Sequence, residues 1–435
     1  MGIYDYQEAF GAWDRTTSAM RKAIDAWFSM YYQAEPTADS DPCQRIPFTV
    51  VSKLVKTIFG EYKVSAKSPA VLAMVEALNR QKKQAMQLAL VGGECYIKPC
   101  PEKSGFSFTL IPRNNVLIFG RDGNGVPTDM GTVEKSVRGK YYYTLLERRT
   151  VDTQGYLTIE NRLYRATSAQ SLGTQVPLST NPAYEALASF YRYPVPVGSV
   201  GLACLKTPMV NCVDGSPDGV AVFAPAVGLI RNIDRNEAQM NGEFSRGESR
   251  IIASADLLNK NSPGSSGLAE HLFVGLDEDP EQVGLTIFSP KLREQSFLAR
   301  KQEYLRNVES VIGLRRGMLS DANVEERTAT EITSSSGDYN LTVMDFQDMW
   351  ECAVRQAVEI ACVLARMYRL EVPEDLQVCI DWGNGVLYDE GKTWDEYMAM
   401  VKSGLIKPEL ALAWRFNIPA ETEEELAFIR QKYMP

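Results

Sequence analysis

Few residues in this chain have the types and spacing that chemistry needs, and each set reads better as something else. Gly391-Lys392-Thr393 carries the last three residues of a phosphate-binding Walker loop. The glycine required five places earlier is Val386, with Gly385 one place out, and Asp389-Glu390 stand where phosphates would approach, so nucleotide binding is not expected. Gly123-Asn124-Gly125 falls between two strand-like runs, which predicts a hairpin turn and not a dinucleotide site. His271 is the single histidine. A Ser-His-Asp arrangement could use it, but a His-rich zinc site or an H-E-x-x-H helix cannot be built from one imidazole. Asp277 and Asp279 lack the pattern of an EF-hand and read as a solvated or partner-facing loop. The eight cysteines are scattered with no C-x-x-C pair, which predicts reduced thiols in a cytoplasm; Cys95 and Cys100, flanking a short strand, read as core thiols. The reading is of no catalytic set, no metal site and no cofactor.

What remains is a question of architecture. At roughly 100–200 residues per domain, 435 residues can build two to four units, and 45% hydrophobic composition supplies the apolar surface to bury. The net charge of −9 argues against a protein whose main task is gripping nucleic acid. Charge is also uneven. Residues 370–435 hold thirteen acidic against six basic side chains, residues 249–289 six against two, and residues 290–312 three against five. No membrane span is expected, because apolar runs such as Val354 to Met367 are interrupted by Arg355 and Glu359. The opening Met1-Gly2-Ile3-Tyr4-Asp5 lacks the basic and apolar segments of a secretory leader.

Periodicity then places the elements. Helical spacing predicts one helix or two over Tyr6–Tyr32, one over Val50–Phe59 and one over Pro69–Leu90. After Gly92-Gly93 the period changes. Strands are expected at Glu94–Pro99, Ser107–Pro112, Val116–Phe119, Lys140–Thr150 and Leu157–Tyr164, followed by a Pro-rich irregular stretch from Asn181 to Pro217. Phe223–Phe244 reads helical, yet Asn232 to Glu243 holds only Ile233 and Met240 as large apolar residues. Such a helix needs neighbours. Short β runs (Arg250–Ala253, Leu285–Phe288) enclose a polar loop, and Pro290–Ile312 is helical again. Leu314-Arg315-Arg316-Gly317 reads as an exposed loop, and Glu326–Arg369 as the longest helix, weakened near Gly337. A strand at Leu376–Trp382 and helices at Trp394–Ser403, Pro408–Trp414 and Thr422–Tyr433 complete the chain. The fold class is α+β.

Two polar helices about 40 residues apart, forming a hairpin around a small acidic β insertion, imply packing against copies of themselves, and repetition of one interface closes a ring if the rotation fits. In this order of elements the chain resembles the portal proteins of long-tailed bacteriophages with flexible tails, the siphophage-type head-tail connectors. The resemblance rests on Ala89-Leu90-Val91-Gly92-Gly93-Glu94-Cys95-Tyr96-Ile97-Lys98-Pro99, on Tyr141 to Arg148 with Ile159 to Tyr164 and Leu172-Gly173, on Asn211 to Phe223 with Ile233-Asp234 and Glu243-Phe244, and on Arg327-Thr328-Ala329-Thr330-Glu331-Ile332.

The resemblance implies a twelve-subunit ring at one capsid vertex in the virion, assembled in the bacterial host, through which double-stranded DNA is packaged and ejected. It implies docking to the terminase large subunit and then to a head-completion adaptor, contacts with major capsid and scaffolding proteins, and no enzymatic activity. By position, residues 1–219 would be the wing, 220–248 and 290–312 the stem helices, 249–289 the clip, 313–325 the tunnel loop, 326–369 the long wing helix and 370–435 the crown. Candidate channel residues are Arg300, Lys301, Arg306, Arg315 and Arg316. Candidate clip contacts are Lys260, His271, Asp277, Glu278, Asp279 and Glu281. Two rivals stay open on sequence: another phage ring or capsid-assembly protein without a DNA channel, and an enzyme of unfamiliar type using His271 or an acid pair.

Overall fold

The computed structural model describes residues 6–32, 42–102, 105–247, 250–253, 258–262, 265–268, 285–288, 291–321, 329–370, 375–383, 390–416, 420 and 423–434, with backbone alone at 250–253, 258–262, 265–268, 285–288, 329–338, 390–393, 396 and 424. In chain order the first elements are α1 (Gln7–Phe10), α2 (Ser18–Tyr32), α3 (Ile46–Ile58), β1 (Lys63–Ala66), α4 (Pro69–Asn79) and α5 (Lys82–Gly92). Strands β2 (Glu94–Glu102), β3 (Gly105–Pro112), β4 (Val116–Arg121), β5 (Pro127–Arg138), β6 (Tyr141–Val151), β7 (Tyr156–Ala166), β8 (Thr174–Val176), β9 (Phe190–Pro196) and β10 (Ala203–Lys206) follow. Then come α6 (Val227–Arg246), β11 (Arg250–Ala253), β12 (Leu258–Ser262), β13 (Ser265–Leu268), β14 (Leu285–Phe288) and α7 (Glu294–Ile312). The chain ends with α8 (Ala329–Tyr368), β15 (Val378–Asp381), α9 (Glu390–Lys402), α10 (Pro408–Phe416) and α11 (Glu423–Tyr433). This is the expected mixture of helix and sheet. It falls into two compact units, one of Met1–Phe28, Val51–Val222 and Ser336–Pro435, the other of Ser29–Val50 and Phe223–Ser335.

The first unit is built on two antiparallel sheets. One runs β4-β5-β6-β7-β8, with β9 also on β7; the other runs β10-β2-β3. Alternate residues of β7 are buried, as half-covered strands require, and Leu145, Leu146, Leu157 and Leu163 feed the cores on either side. The Gly-Gly turn singled out in the sequence ends α5. Gly93, at φ 82°, donates its N–H to Ala89 O at 2.7 Å and hands the chain to β2. A Cβ on Gly93 would stand 2.2 Å from Gly219 O, so the two backbones touch and leave room for no side chain. Gly219 in turn donates its N–H to Glu94 Oε1 at 2.8 Å. Two of the stretches that carry the resemblance are thus one packed node.

A guanidinium lies at the centre of that node. Arg113 is fully buried; its Nε is 3.2 Å from Glu94 Oε2, Nη2 donates to Asp218 Oδ1 at 2.8 Å and to Thr16 Oγ1 at 2.9 Å, and Nη1 donates to Val116 O at 3.0 Å. Burial alone would lower its pKa, but Glu94 and Asp218 raise it on balance, so the charge is fixed. In the same unit an aromatic group binds α8: Trp350 meets Phe59 edge-on with ring centres 5.4 Å apart, and Tyr62 donates its hydroxyl to Asn79 Oδ1 at 2.8 Å.

Three expectations need correction. The helix predicted over Pro69–Leu90 is two, broken at Arg80-Gln81, where Gln81 N–H closes on Leu78 O. Strand β5 was not foreseen, because its outer half is largely exposed and polar (Glu134, Lys135, Arg138) and is ordered by a ten-residue ladder with β6. The stretch after Asn181 contains β9 and β10. Strand β9 carries Pro194 and Pro196, which a sheet tolerates at an edge, and it pairs with β7 alone.

Glu147 offers a test of this packing. Burial would raise its carboxyl, but Arg149 at 2.6 Å and Lys98 hold it down to about 2, against an ordinary value of 4.5. A carboxyl depressed in the folded state contributes stability above its unfolded pKa and loses it as pH falls toward the folded one. Glu147→Gln should therefore melt below the parent at neutral pH, by about 3 kcal/mol, with the gap closing as pH falls from about 4.5 to about 2. A gap independent of pH in paired thermal melts would contradict the pairing.

Candidate functional site

The second unit holds the hairpin α6/α7 and the two small ladders β11/β14 and β12/β13. Apolar burial in the hairpin is confined to one end: Ile230 and Ile233 on α6, with Leu305, Val308 and Ile312 on α7. Beyond that end the helices are joined by polar contacts. Asn236, 2% exposed, donates Nδ2 to Phe297 O at 3.0 Å. Lys301 Nζ reaches both Glu237 Oε2 and Gln44 Oε1 at 3.0 Å, and Arg293 grips Glu243 through Nε and Nη2. Hydrogen bonds from Arg293 accordingly lower the pKa of Glu243.

After α7 the chain turns at Gly313, with φ 79°, into the arginine-bearing loop. Glu309 lies on the apolar face of α7 in phase with Leu305 and Ile312, and is 1% exposed. Its carboxylate accepts N–H groups from Gly317 at 3.3 Å, Leu319 at 2.5 Å and Ser320 at 2.9 Å, and the Ser320 hydroxyl at 2.8 Å. One buried anion therefore fixes the loop backbone. Arg315 and Arg316 stand on the outside of this turn, exposed, with no ion pair or side-chain hydrogen bond among the described residues.

The other predicted residues fall as follows. Arg300 is exposed and donates Nε and Nη2 to its neighbour Tyr304, and Arg306 lies 3.6 Å from Glu303. Lys301 is occupied by Glu237 and Gln44. Lys260 lies on β12, whose side chains are outside the described set, and His271, Asp277, Glu278, Asp279 and Glu281 lie outside the described residues altogether. Gly391-Lys392-Thr393 sits in the first turn of α9. Cys95 is buried, its thiol pushed up to about 12, and Cys100 is half-buried beside Thr109; five places apart on β2, they face opposite sides of the strand. Among the described residues no group of three His, Cys, Asp or Glu could hold a metal ion, and no helix is long and apolar enough to cross a membrane.

A family model described as phage portal protein, SPP1 Gp6-like, matches residues 125–432, well over half of the chain. The chain is a phage portal protein. No curated protein matches it. The match takes in α6, α7, the arginine loop and α8, so the hairpin and loop belong to the part of this portal protein that the family defines.

Glu309 is the residue that sequence reading missed. Its signal was there: a carboxylate at an apolar helical position, followed by a glycine-bearing loop rich in backbone donors. Glu309→Ala should leave three N–H groups and a hydroxyl without their acceptor, at a cost of about 2–4 kcal/mol to the loop. Trypsin should then cut after Arg315 or Arg316 at least ~10-fold faster while helical circular dichroism is kept; an unchanged cleavage rate would refute the anchoring role.

Proposed function

We propose that the protein forms the portal ring of a tailed phage: about twelve copies at one capsid vertex, with a central channel for packaging and ejecting double-stranded DNA. In this reading α6 and α7 are the stem and the Arg315-Arg316 loop reaches the channel. The segment 249–289 docks the terminase large subunit and later a head-completion adaptor, while the remaining surface meets major capsid and scaffolding proteins in the virion.

The observation that carries the reading is the composition of the distal half of the hairpin. No residue from Glu237 to Gly247, through the end of α6, or from Lys291 to Tyr304, into the first half of α7, is buried, yet Phe244, Leu292 and Leu298 are 38–43% exposed. Two helices that bury nothing apolar over half their length cannot be stable alone, since isolated helices are marginal and polar pairs at a surface contribute little. Identical neighbours repeated around an axis supply the missing cover without exposing a free edge. An acidic chain suits a channel as well: each phosphate contact adds affinity by counterion release, so a duplex that must slide needs few of them.

Mass measurement of the purified protein should give a closed assembly near twelve subunits, and Leu298→Asp should yield a folded but unassembled chain. A monomer at high concentration in the parent protein would refute the ring. In particles, R315E/R316E should cut the amount of packaged DNA at least several-fold while rings still form; full-length packaging would remove the loop from the channel.

A further inference from the structure

The charges of α6 are sorted by face. Its acidic residues are all taken up by partners within the unit: Asp234 accepts Gln44 N–H at 2.8 Å, Glu237 pairs with Lys301, and Glu243 is held by Arg293. Its arginines all turn outward. Arg231, Arg235 and Arg246 are exposed, and among the described residues none of them makes an ion pair. Among the described residues Arg235 donates to Asn232 Oδ1 at 3.3 Å and Arg246 to Gly242 O at 3.0 Å; Arg246 adds to the positive field at Glu243, whose two oxygens are already taken by Arg293. At 100° per residue the three arginines share one stripe with Gly228, Ala238 and Gly242, so small side chains leave them standing clear. A shallow groove runs between Arg235 and Arg246, floored by Ala238 and Gly242 and flanked by Gln239, Asn241 and Ser245. On α7 the corresponding cations have partners: Lys301 pairs with Glu237 across the hairpin, Arg306 lies beside Glu303 on its own helix, and Arg300, itself exposed, donates to Tyr304.

We propose that the outward face of α6, with Arg231, Arg235 and Arg246, is the wall of the hairpin that meets the phosphate backbone of duplex DNA, and that the cations of α7 serve the hairpin itself. This rests on the portal reading above and assigns the DNA-facing helix within it. Unpaired guanidinium groups beside a groove recognise phosphate oxygens, with two N–H donors to each. An acidic surface on a second copy is the other occupant such a face could take; a neighbouring α7 would not supply it, since its outer stripe offers only Glu303 among Ser296, Ala299, Asn307 and Ser310, and Glu303 already has Arg306. The spacing suits sliding. At 1.5 Å per residue, Arg231 and Arg235 lie about 6 Å apart along the axis and Arg246 about 17 Å further on, so each protomer presents separated levels of charge in place of one clamp. With B-DNA carrying one charge per ~1.7 Å, a moving duplex meets a phosphate at each level at nearly every register.

A photo-crosslinking residue, p-benzoylphenylalanine, is placed at Gln239 in the α6 groove or at Asn307 on the outer face of α7 of the full chain. The assembled protein is irradiated with a blunt linear duplex of about 30 base pairs. Cross-links should go to DNA from position 239 and at least ~5-fold fewer from position 307. In parallel, R231Q/R235Q/R246Q should lower the slope of log affinity against log salt for the same duplex by about 2–3, while R300Q/R306Q leaves it unchanged. Cross-links from 239 into a second copy, equal DNA cross-linking from both positions, or an unchanged salt slope in the triple variant would each overturn the assignment while leaving the ring intact. A monomer in the mass measurement on the same sample would overturn the ring reading on which it rests.

Discussion

The first unit depends on the buried charge of Arg113. A guanidinium with no access to water costs several kcal/mol in desolvation unless its donors are met, and breaking such a group by removing one partner costs about 3–5 kcal/mol. Here the partners come from four stretches of chain: Thr16 before α2, Glu94 at the start of β2, Val116 at the start of β4 and Asp218 in the loop after β10. Arg21 repeats the device alongside, fully buried against Asp14 and donating to Val116 O at 3.1 Å. Because one planar fork reads all four stretches at once, none can shift without leaving a charge unmet. That rigidity sets the path of Gly219 to Val222, whose last N–H closes on Leu90 O at 2.9 Å.

The hairpin is organised on the opposite principle. Its apolar residues are concentrated at one end, and the rest is held by hydrogen bonds and ion pairs within reach of water. Exposed pairs such as Arg293 with Glu243 contribute little stability each, but they fix which charges face inward and which are left over. The leftover charges are the arginines. In the hairpin and the loop that follows it they stand on one face of α6 and on the anchored turn that carries Arg315 and Arg316.

Much of this was legible in the sequence, for physical reasons. Elements with a buried face announced themselves by period: β2, β3, β6 and β7, the long α8 and the three C-terminal helices. The polarity of Asn232 to Glu243 gave away a helix that lacks a core of its own. Elements whose order comes from elsewhere did not show. Strand β9 reads as a Pro-rich loop because only β7 holds it, and the outer half of β5 reads as polar surface because its ladder with β6 lies further along the chain. The candidate channel residues were chosen by charge alone, which finds arginines but not their partners. Lys301 looks as available as Arg315 until Glu237 is placed beside it. Glu309 was hidden by the habit of reading a carboxylate as surface, although its phase among Leu305, Val308 and Ile312 said otherwise.

The contact between Gly93 and Gly219 limits how this chain can diverge. At Gly123, where an added Cβ would meet nothing within 4 Å, the turn is open to drift in identity and even in length. At the paired glycines a Cβ on either residue would lie within 2.3 Å of the other's backbone, so neither can change unless both strands of chain move apart together. The pair is lost or kept as one unit. Among relatives too distant to align by similarity, two glycines so placed, one ending a helix and the other preceding the hairpin, would mark common descent when little else in the sequence still does.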